Sequence, residues 1–412
     1  MKYGYSFLMR LRQITFFCLV LLLAARVFAA DADQCDSHNW FQQSALSGIK
    51  AVPLLCQGSL DASFDRRKSA LYRLRKVIES NPHGAEAYQA HETLLSFFFR
   101  VGQYREALKQ ADAMLTLKPA AEDILEERPL ILGLAKNPDQ SGKAKHSILA
   151  KSGIDDGNPH IPVLANKKAA LWFMDTGANI SVMSDAEAAA LGLVVHSVDT
   201  KMADISGTMT AFKITQVDKL TIGRTELKHV SFVVLPHTQP PFDDIPTEQQ
   251  ALLGIQVLWA LRSIHIDKTQ QVEIAGAVDP DASSSPLAFY QSQPVTQMSF
   301  EGKELIFTLD TGATHTTLNP PFAKAFPETI ALGEKKEHTL IGVGGSTTQH
   351  SVAVEKLSLT LAGRTIVLSP ANVLLQKTTD PSEWAAGNLG YDLIRQTAPF
   401  TIDFRTMRLS AR

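Results

Sequence analysis

Four short segments of this chain occur twice, in the same order and at a nearly constant separation. Asp175-Thr176-Gly177-Ala178 returns as Asp310-Thr311-Gly312-Ala313, 135 residues further on. Leu220-Thr221-Ile222-Gly223-Arg224-Thr225 returns as Leu359-Thr360-Leu361-Ala362-Gly363-Arg364-Thr365, with one residue inserted. Leu252-Leu253-Gly254 returns as Asn388-Leu389-Gly390, and Ile264-His265-Ile266-Asp267 as Phe400-Thr401-Ile402-Asp403, both at 136. Matches in one order at one offset mark a tandem duplication. Whatever fold the chain adopts must therefore be built twice, in copies of about 120 residues.

The texture of both copies is β. Ile161-Pro162-Val163-Leu164, a turn at Asn166-Lys167-Lys168 and the run Ala169–Met174 predict a hairpin, as do Val295–Phe300, Glu301-Gly302-Lys303 and Glu304–Leu309. Each Asp-Thr-Gly follows the second strand of its hairpin and precedes a polar turn and a helix-start signal. That signal is the capping box Ser184-x-x-Glu187 in copy one and Asn319 before Pro320 in copy two. The aspartate is thus mounted between a strand and a capped helix. Between the copies, Asp279-Pro280-Asp281-Ala282-Ser283-Ser284-Ser285-Pro286 has the composition of a linker.

Ahead of the copies the pattern is helical from Phe64 to Leu134. Leu71, Leu74, Val77 and Ile78 recur at helical spacing, Asn81-Pro82 stops the run, and further helices span Ala85 to Arg100 and Tyr104 to Leu117. The stretch Phe97–Ala107, with its turn at Val101-Gly102 and Pro119 beyond, resembles one tetratricopeptide repeat. A single repeat is too few for a free-standing solenoid. The expected role is a helical appendage packed on the next domain, with a partner-binding or substrate-gating surface as the alternative.

From residue 158 to the end, the paired motifs resemble the retropepsin-like aspartic proteases, in the form exported by some bacteria. The resemblance rests on the two Asp-Thr-Gly-Ala segments, the apolar-apolar-Gly segment about 80 residues after each, and a Gly-rich hairpin between them. That hairpin is His338-Thr339-Leu340-Ile341-Gly342-Val343-Gly344-Gly345 in copy two and the weaker Asp204-Ile205-Ser206-Gly207 in copy one. It implies an α plus all-β multidomain chain in which N-terminal helical hairpins precede two β-barrel halves, joined as a pepsin-like pseudo-dimer. It also implies that Asp175 and Asp310 form a catalytic dyad for peptide hydrolysis. Two carboxyls about 3 Å apart cannot both ionise cheaply and so share a proton. The ionised member activates water, and the protonated one donates to the carbonyl oxygen.

The same resemblance assigns Thr176 and Thr311 to a hydroxyl network locking the loops. It gives Gly177, Gly312, Ala178 and Ala313 to the support of the carboxylates, and Leu253-Gly254 and Leu389-Gly390 to packing behind them. Ser206, Gly207, Gly342, Gly344 and Gly345 become flap residues closing on an extended peptide. The copies also differ. Copy one lacks the Gly-Gly of the second flap, Tyr is absent between residues 160 and 285, and Asn388 replaces Leu252 at the edge of its motif. The missing flap tyrosine favours retropepsin-like over pepsin-like mechanics. His315, His338 and His350 read as turn and surface histidines. No metal-ligand cluster, cofactor motif or phosphate-binding loop is present in the sequence, so neither cofactor nor metal is expected. A module that binds or senses peptides without hydrolysis is the alternative function, and a homodimer pairing like copies is the alternative assembly.

Charge and cysteines place the chain. Forty Lys+Arg against 42 Asp+Glu leave −2, with no cationic excess for nucleic acid. Lys2, Arg10 and Arg12, the apolar run Ile14–Ala25 and the small-residue exit Val27-Phe28-Ala29-Ala30 describe a secretory signal peptide. The apolar run is shorter than the roughly 20 residues of a membrane-spanning helix, so no stable anchor is expected after cleavage, and the chain is expected in the periplasm or secreted. Removal of residues 1–29 takes away four positive charges and Cys18, leaving −6 and the pair Cys35 and Cys56. In an oxidising compartment that pair is expected to form a disulfide, contributing about 3 kcal/mol. The resulting plan is a signal peptide at 1–29, a disulfide-linked helical module at 30–140, copy one at 158–278, a linker at 279–291 and copy two at 292–412. The expected partners are a peptide or protein substrate and, through the helices, a second protein. N-terminal sequencing of the exported protein should find the first residue at Ala30 or Asp31; an N-terminus retaining residues 1–29 would contradict this.

Overall fold

A computed structural model describes residues 16–17, 53–154, 157–203, 209–279, 283–342, 345–376 and 384–411. The chain consists of N-terminal helices followed by two β-barrel halves arranged as a pseudo-dimer. In copy one the strands Thr225–Leu235, Ser181–Ser184, Ala251–Leu253, Lys168–Met174, His160–Ala165 and Met209–Ile222 pair in that order, and the last pairs back onto the first, closing a six-strand barrel. Closure leaves no free sheet edge in the ring. Copy two repeats the pairing with each of the two long strands broken in two: Gly345–Val354 with Leu357–Leu361, and Arg364–Leu368 with Ala371–Leu374. The inserted residue of the second copy lies at this hairpin, where Ala362 and Gly363 both take positive φ, 49° and 74°.

The fourth repeated segment joins the halves. Ser263–Ile266 of copy one pairs antiparallel with Phe400–Asp403 of copy two, placing Ile264 opposite Ile402 and His265 opposite Thr401. These sheet bonds run between the copies, so the pseudo-dimer is continuous hydrogen-bonded structure. The sheet extends to Val272–Ile274 and Ser147–Ile148 on one side and to Arg408–Ala411 and Ser284–Tyr290 on the other. Here the linker expected at 279–291 is corrected. Ser284–Tyr290 is a strand paired on both sides, and its Leu287, Ala288 and Phe289 are buried. Burial of three apolar side chains outweighs the turn-forming tendency of the Ser-Pro residues before them. Copy one likewise gains strands at Ser141–Lys143 and Ser147–Ile148, ahead of residue 158.

Among the described residues five helices precede the barrels: α1 Leu54–Ser63, α2 Arg67–Ser80, α3 Ala85–Arg100, α4 Tyr104–Leu117 and α5 Glu122–Ala135. The turn between α3 and α4 uses Gly102 at φ 69°, and Phe99 packs edge-on against Tyr104 at 5.4 Å. Helix α1 lies ahead of the run legible in the sequence. Its Gly58 faces Leu74 so closely that a Cβ would come within 2.7 Å of the leucine Cδ2. None of the helices among the described residues is long and apolar enough to cross a membrane. Cys56 is buried in α1, while Cys35 lies outside the described residues.

The helices are not a detached appendage. Their core is continuous with one face of copy one, including Phe173, Ala178, Ile180, Phe212, Ile214 and Leu252. Helix α5 also braces the strand His196–Ala203, Thr200 Oγ1 donating to Glu126 O at 3.0 Å. At the other end Arg100, 2% exposed, donates to Ala62 O and to Gln291 O of copy two, both at 2.8 Å, and lies 4.1 Å from the centre of the Phe289 ring. Its ion partner Asp65, 3.8 Å away, accepts from Trp259 Nε1 of copy one at 3.0 Å. One buried charge pair therefore ties the helices to both halves. Removing one member of such a pair strands the other in a low-dielectric site. Arg100→Met should lower the unfolding free energy by about 3–5 kcal/mol in urea titrations; a loss below about 1 kcal/mol would contradict this role.

Candidate active site

Each Asp-Thr-Gly loop is built by the same local logic. The strands Lys168–Met174 and Lys303–Leu309 deliver Asp175 and Asp310, and the peptide N–H of each aspartate donates to the carbonyl of Leu253 or Leu389, both at 3.0 Å. Each loop is then closed from behind. Ile255 N–H donates to Ala178 O, and Tyr391 N–H to Ala313 O, both at 2.8 Å. Gly254 and Gly390 are required by close approach, since a Cβ at either would lie 2.6 Å from a backbone carbon of Ile180 or His315. Ser181 and Thr316, themselves 135 residues apart, accept the N–H of these glycines at 3.0 and 2.9 Å. Sequence reasoning passed over both hydroxyls, although their shared offset was the available signal.

The carboxylates sit in matched cradles. Gly177 and Ala178 donate N–H groups to Asp175 Oδ1 at 3.0 and 3.1 Å, and Gly312 and Ala313 donate to Asp310 Oδ1 at 2.9 and 3.0 Å. Between the loops Thr176 and Thr311 exchange bonds. Thr176 N–H donates to Thr311 Oγ1 at 3.1 Å and Thr311 N–H to Thr176 Oγ1 at 3.0 Å. The hydroxyls donate onward across the pseudo-dimer, Thr176 to Leu309 O at 2.8 Å and Thr311 to Met174 O at 2.7 Å. All four bonds join one half to the other.

This grip brings the carboxyls together. A Cβ built on Gly312 would stand 2.4 Å from Asp175 Cγ, so only glycine lets the first carboxyl lie against the second loop. Asp175 is 3% exposed and Asp310 fully buried. Burial, and then the charge of Asp175, hold the Asp310 carboxyl well above its ordinary value of 3.8; hydrogen bonds from Asn388, Ala313 and Gly312 oppose that rise. A pair arranged in this way titrates as a unit and favours the state with one proton between two sites.

Two further side chains enter the site that the motifs did not announce. Asn388 Nδ2 donates to Asp310 Oδ2 at 2.8 Å. Asn158, at the start of copy one, donates to Gly312 O at 2.8 Å and accepts from Thr314 Oγ1 at 3.2 Å, holding the second loop from the first half. The expected support residues Leu253, Leu389, Gly254 and Gly390 all lie behind the dyad. Of the flap residues, Gly342 and Gly345 pair at the tip of the hairpin Glu334–Val354, while Gly344, Ser206 and Gly207 lie outside the described residues. His315 is a half-exposed turn residue 3.9 Å from Asp392.

A family model described as aspartyl protease matches residues 161–257 and again 296–393. Each of the two halves thus resembles the aspartyl protease family. Among solved structures, the chain is similar to a retropepsin-like aspartic protease from Rickettsia conorii, at 22% identity over 32% of this chain and 93% of that one, with a TM-score of 0.22. It is also similar to Basic 7S globulin from soybean, at 11% identity over 66% of this chain and 96% of that one, with a TM-score of 0.36. No curated protein matches the chain. The two family-model matches each span one Asp-Thr-Gly motif, so each copy supplies one carboxyl.

A carboxyl whose folded-state affinity for protons is raised stabilises the fold below about pH 4, and that contribution is lost as pH rises through the raised value. Asp310→Asn should therefore gain stability over the wild type between pH 4 and pH 7, by about 1.4 kcal/mol for each unit of elevation. Urea unfolding at both pH values checks this, and a variant that loses stability relative to wild type on going to pH 7 would contradict it.

Proposed function

We propose that this protein is an exported aspartic endopeptidase that hydrolyses extended or unfolded peptides with an Asp175/Asp310 dyad. The observation that carries the proposal is the matched pair of cradles joined by the Thr176/Thr311 exchange, which supports one shared-proton site per chain. Water held between the carboxyls loses a proton to the ionised aspartate as its oxygen attacks the peptide carbonyl. The protonated aspartate donates to the carbonyl oxygen, giving a tetrahedral diol. Collapse of the diol returns a proton to the leaving amine. Backbone N–H groups on both Oδ1 atoms keep the carboxyls from rotating during these transfers.

The hairpins His196–Ile222 and Glu334–Val354 are proposed as flaps that add backbone hydrogen bonds to the peptide. Helix α5 steadies the base of the first, in keeping with helices that belong to the enzyme. The signal peptide and a Cys35–Cys56 disulfide fit an oxidising, periplasmic or extracellular setting.

Purified residues 30–412 should cleave unfolded casein at acidic pH, and Asp175→Asn or Asp310→Asn should each reduce the rate by about 10³-fold or more. Mass spectrometry of the products beside wild type checks this. Tight binding of peptide without product in the wild type would favour the non-hydrolytic alternative. Cleavage surviving in either single variant would point to homodimers that pair like copies.

A further inference from the structure

A buried side chain of the first half touches the two peptide groups that hold the carboxyl of the second. Asn158, 6% exposed, stands at the start of copy one, and the residue before it prepares its approach. Gly157 has φ 93°, and a Cβ there would come within 2.6 Å of Thr314 Cγ2. Glycine lets the chain pass this close to the second loop in that conformation. From there Asn158 Nδ2 donates to Gly312 O at 2.8 Å and to Thr311 O at 3.3 Å, while its Oδ1 accepts from Thr314 Oγ1 at 3.2 Å. With its oxygen and both amide hydrogens engaged, the side chain is fixed in one orientation.

The two carbonyls it holds belong to a particular pair of peptide groups. The group that carries Thr311 O also carries the N–H of Gly312, and the group that carries Gly312 O carries the N–H of Ala313. Those are the two N–H groups that Asp310 Oδ1 accepts, at 2.9 and 3.0 Å. In a planar trans peptide the C=O and N–H point opposite ways. Asn158 and the Asp310 carboxyl therefore hold the same two peptide groups from opposite ends. A donor on the carbonyl fixes the plane and polarises the N–H beyond it, so that each bond strengthens the next.

We infer that Asn158 is a positioning residue for the second aspartate, acting from the first half through the peptide groups 311–312 and 312–313 to set how firmly the cradle grips the Asp310 carboxyl. The inference rests on the aspartic protease reading. The site then depends on the pairing of the halves twice over: the threonine exchange brings the carboxyls together, and Asn158 completes the mount of one of them from across the pseudo-dimer.

Other groups bear on the same carboxyl from the elements packed around it. Asp175 faces it and acts on it by charge. Asn388, turned by a bond from Thr308 Oγ1 at 2.6 Å, donates to Oδ2, the oxygen that the cradle does not use, at 2.8 Å. His160 meets the carbonyl of Asn158 through Nδ1 at 3.2 Å. Lys303 and Glu304 are exposed at the far end of the strand that leads to Asp310. Beyond the loop His315 and Asp392 lie 3.9 Å apart, Tyr391 donates its hydroxyl to Gln270, and Arg395 is exposed.

The test compares the mature chain with N158L and T314V. N158L removes the amide at similar volume, and T314V removes the hydroxyl that fixes its orientation. The aspartate carboxyls are titrated by ¹³C NMR, and cleavage of unfolded casein is followed against pH. A weaker cradle favours the ionised form less, so in N158L the first proton loss of the pair should move up by about half a pH unit, and the acid limb of kcat/KM with it. At the optimum kcat should fall by about tenfold with KM nearly unchanged, as expected when geometry at the dyad is loosened and peptide binding is not. T314V keeps the amide, so it should shift the same limb in the same direction by less, and it carries the test should N158L fail to fold. Dyad titrations identical to wild type in the folded variants would overturn the inference, even if their stability fell. A wild type that does not cleave, with the carboxyl shift present in the variants, would remove the protease reading and leave the role of Asn158 standing.

Discussion

Everything in this structure depends on the exchange of hydrogen bonds between Thr176 and Thr311. Two carboxyls buried against each other repel when both ionise, so their approach must be enforced by groups other than themselves. The threonines do this with neutral bonds. Each hydroxyl accepts the opposite N–H and donates to a carbonyl of the opposite strand. Neither half can satisfy these four groups alone. A separated half would leave buried donors and acceptors unpaired, at a cost of about 1–3 kcal/mol each.

The rest of the fold keeps that contact in register. The shared sheet of Ser263–Ile266 with Phe400–Asp403 joins the halves at a second place, so they cannot slide past each other without breaking two sets of bonds. Arg100 and Asp65 add a third tie from the helices, reaching one half through Gln291 and Phe289 and the other through Trp259. The symmetric frame makes the pair of aspartates. Small departures from symmetry, at Asn388, at Asn158 and in the broken strands of copy two, make the two halves inequivalent.

Much of this was legible because a duplication carries its own alignment. The constant offset identified the loops, the segments behind them and the strand that later proved to join the halves. Less was legible where function sits in a single copy. Asn388 showed as a change at the edge of a motif, because its meaning depends on Thr308, which lies opposite it only once the strands Lys303–Leu309 and Gly387–Leu389 are paired. Asn158 acts across the pseudo-dimer and has no local pattern. Ser284–Tyr290 read as linker because Ser and Pro dominate its start, whereas its fate was decided by partners at Gln293–Thr296 and Arg408–Ser410 that local composition does not reveal. Helix α1 was missed for a similar reason: Gly58 weakens a helix in isolation and is needed for its contact with Leu74.

The central claim is that one chain supplies both carboxyls of one site. It is tested most directly by a crystal structure of residues 30–412 with a peptide in which a hydroxyl-bearing carbon replaces the scissile carbonyl. The account predicts that this hydroxyl lies between Asp175 and Asp310 of the same chain, within hydrogen-bond distance of both. A hydroxyl held between like aspartates of two chains, or bound away from the dyad, would contradict it.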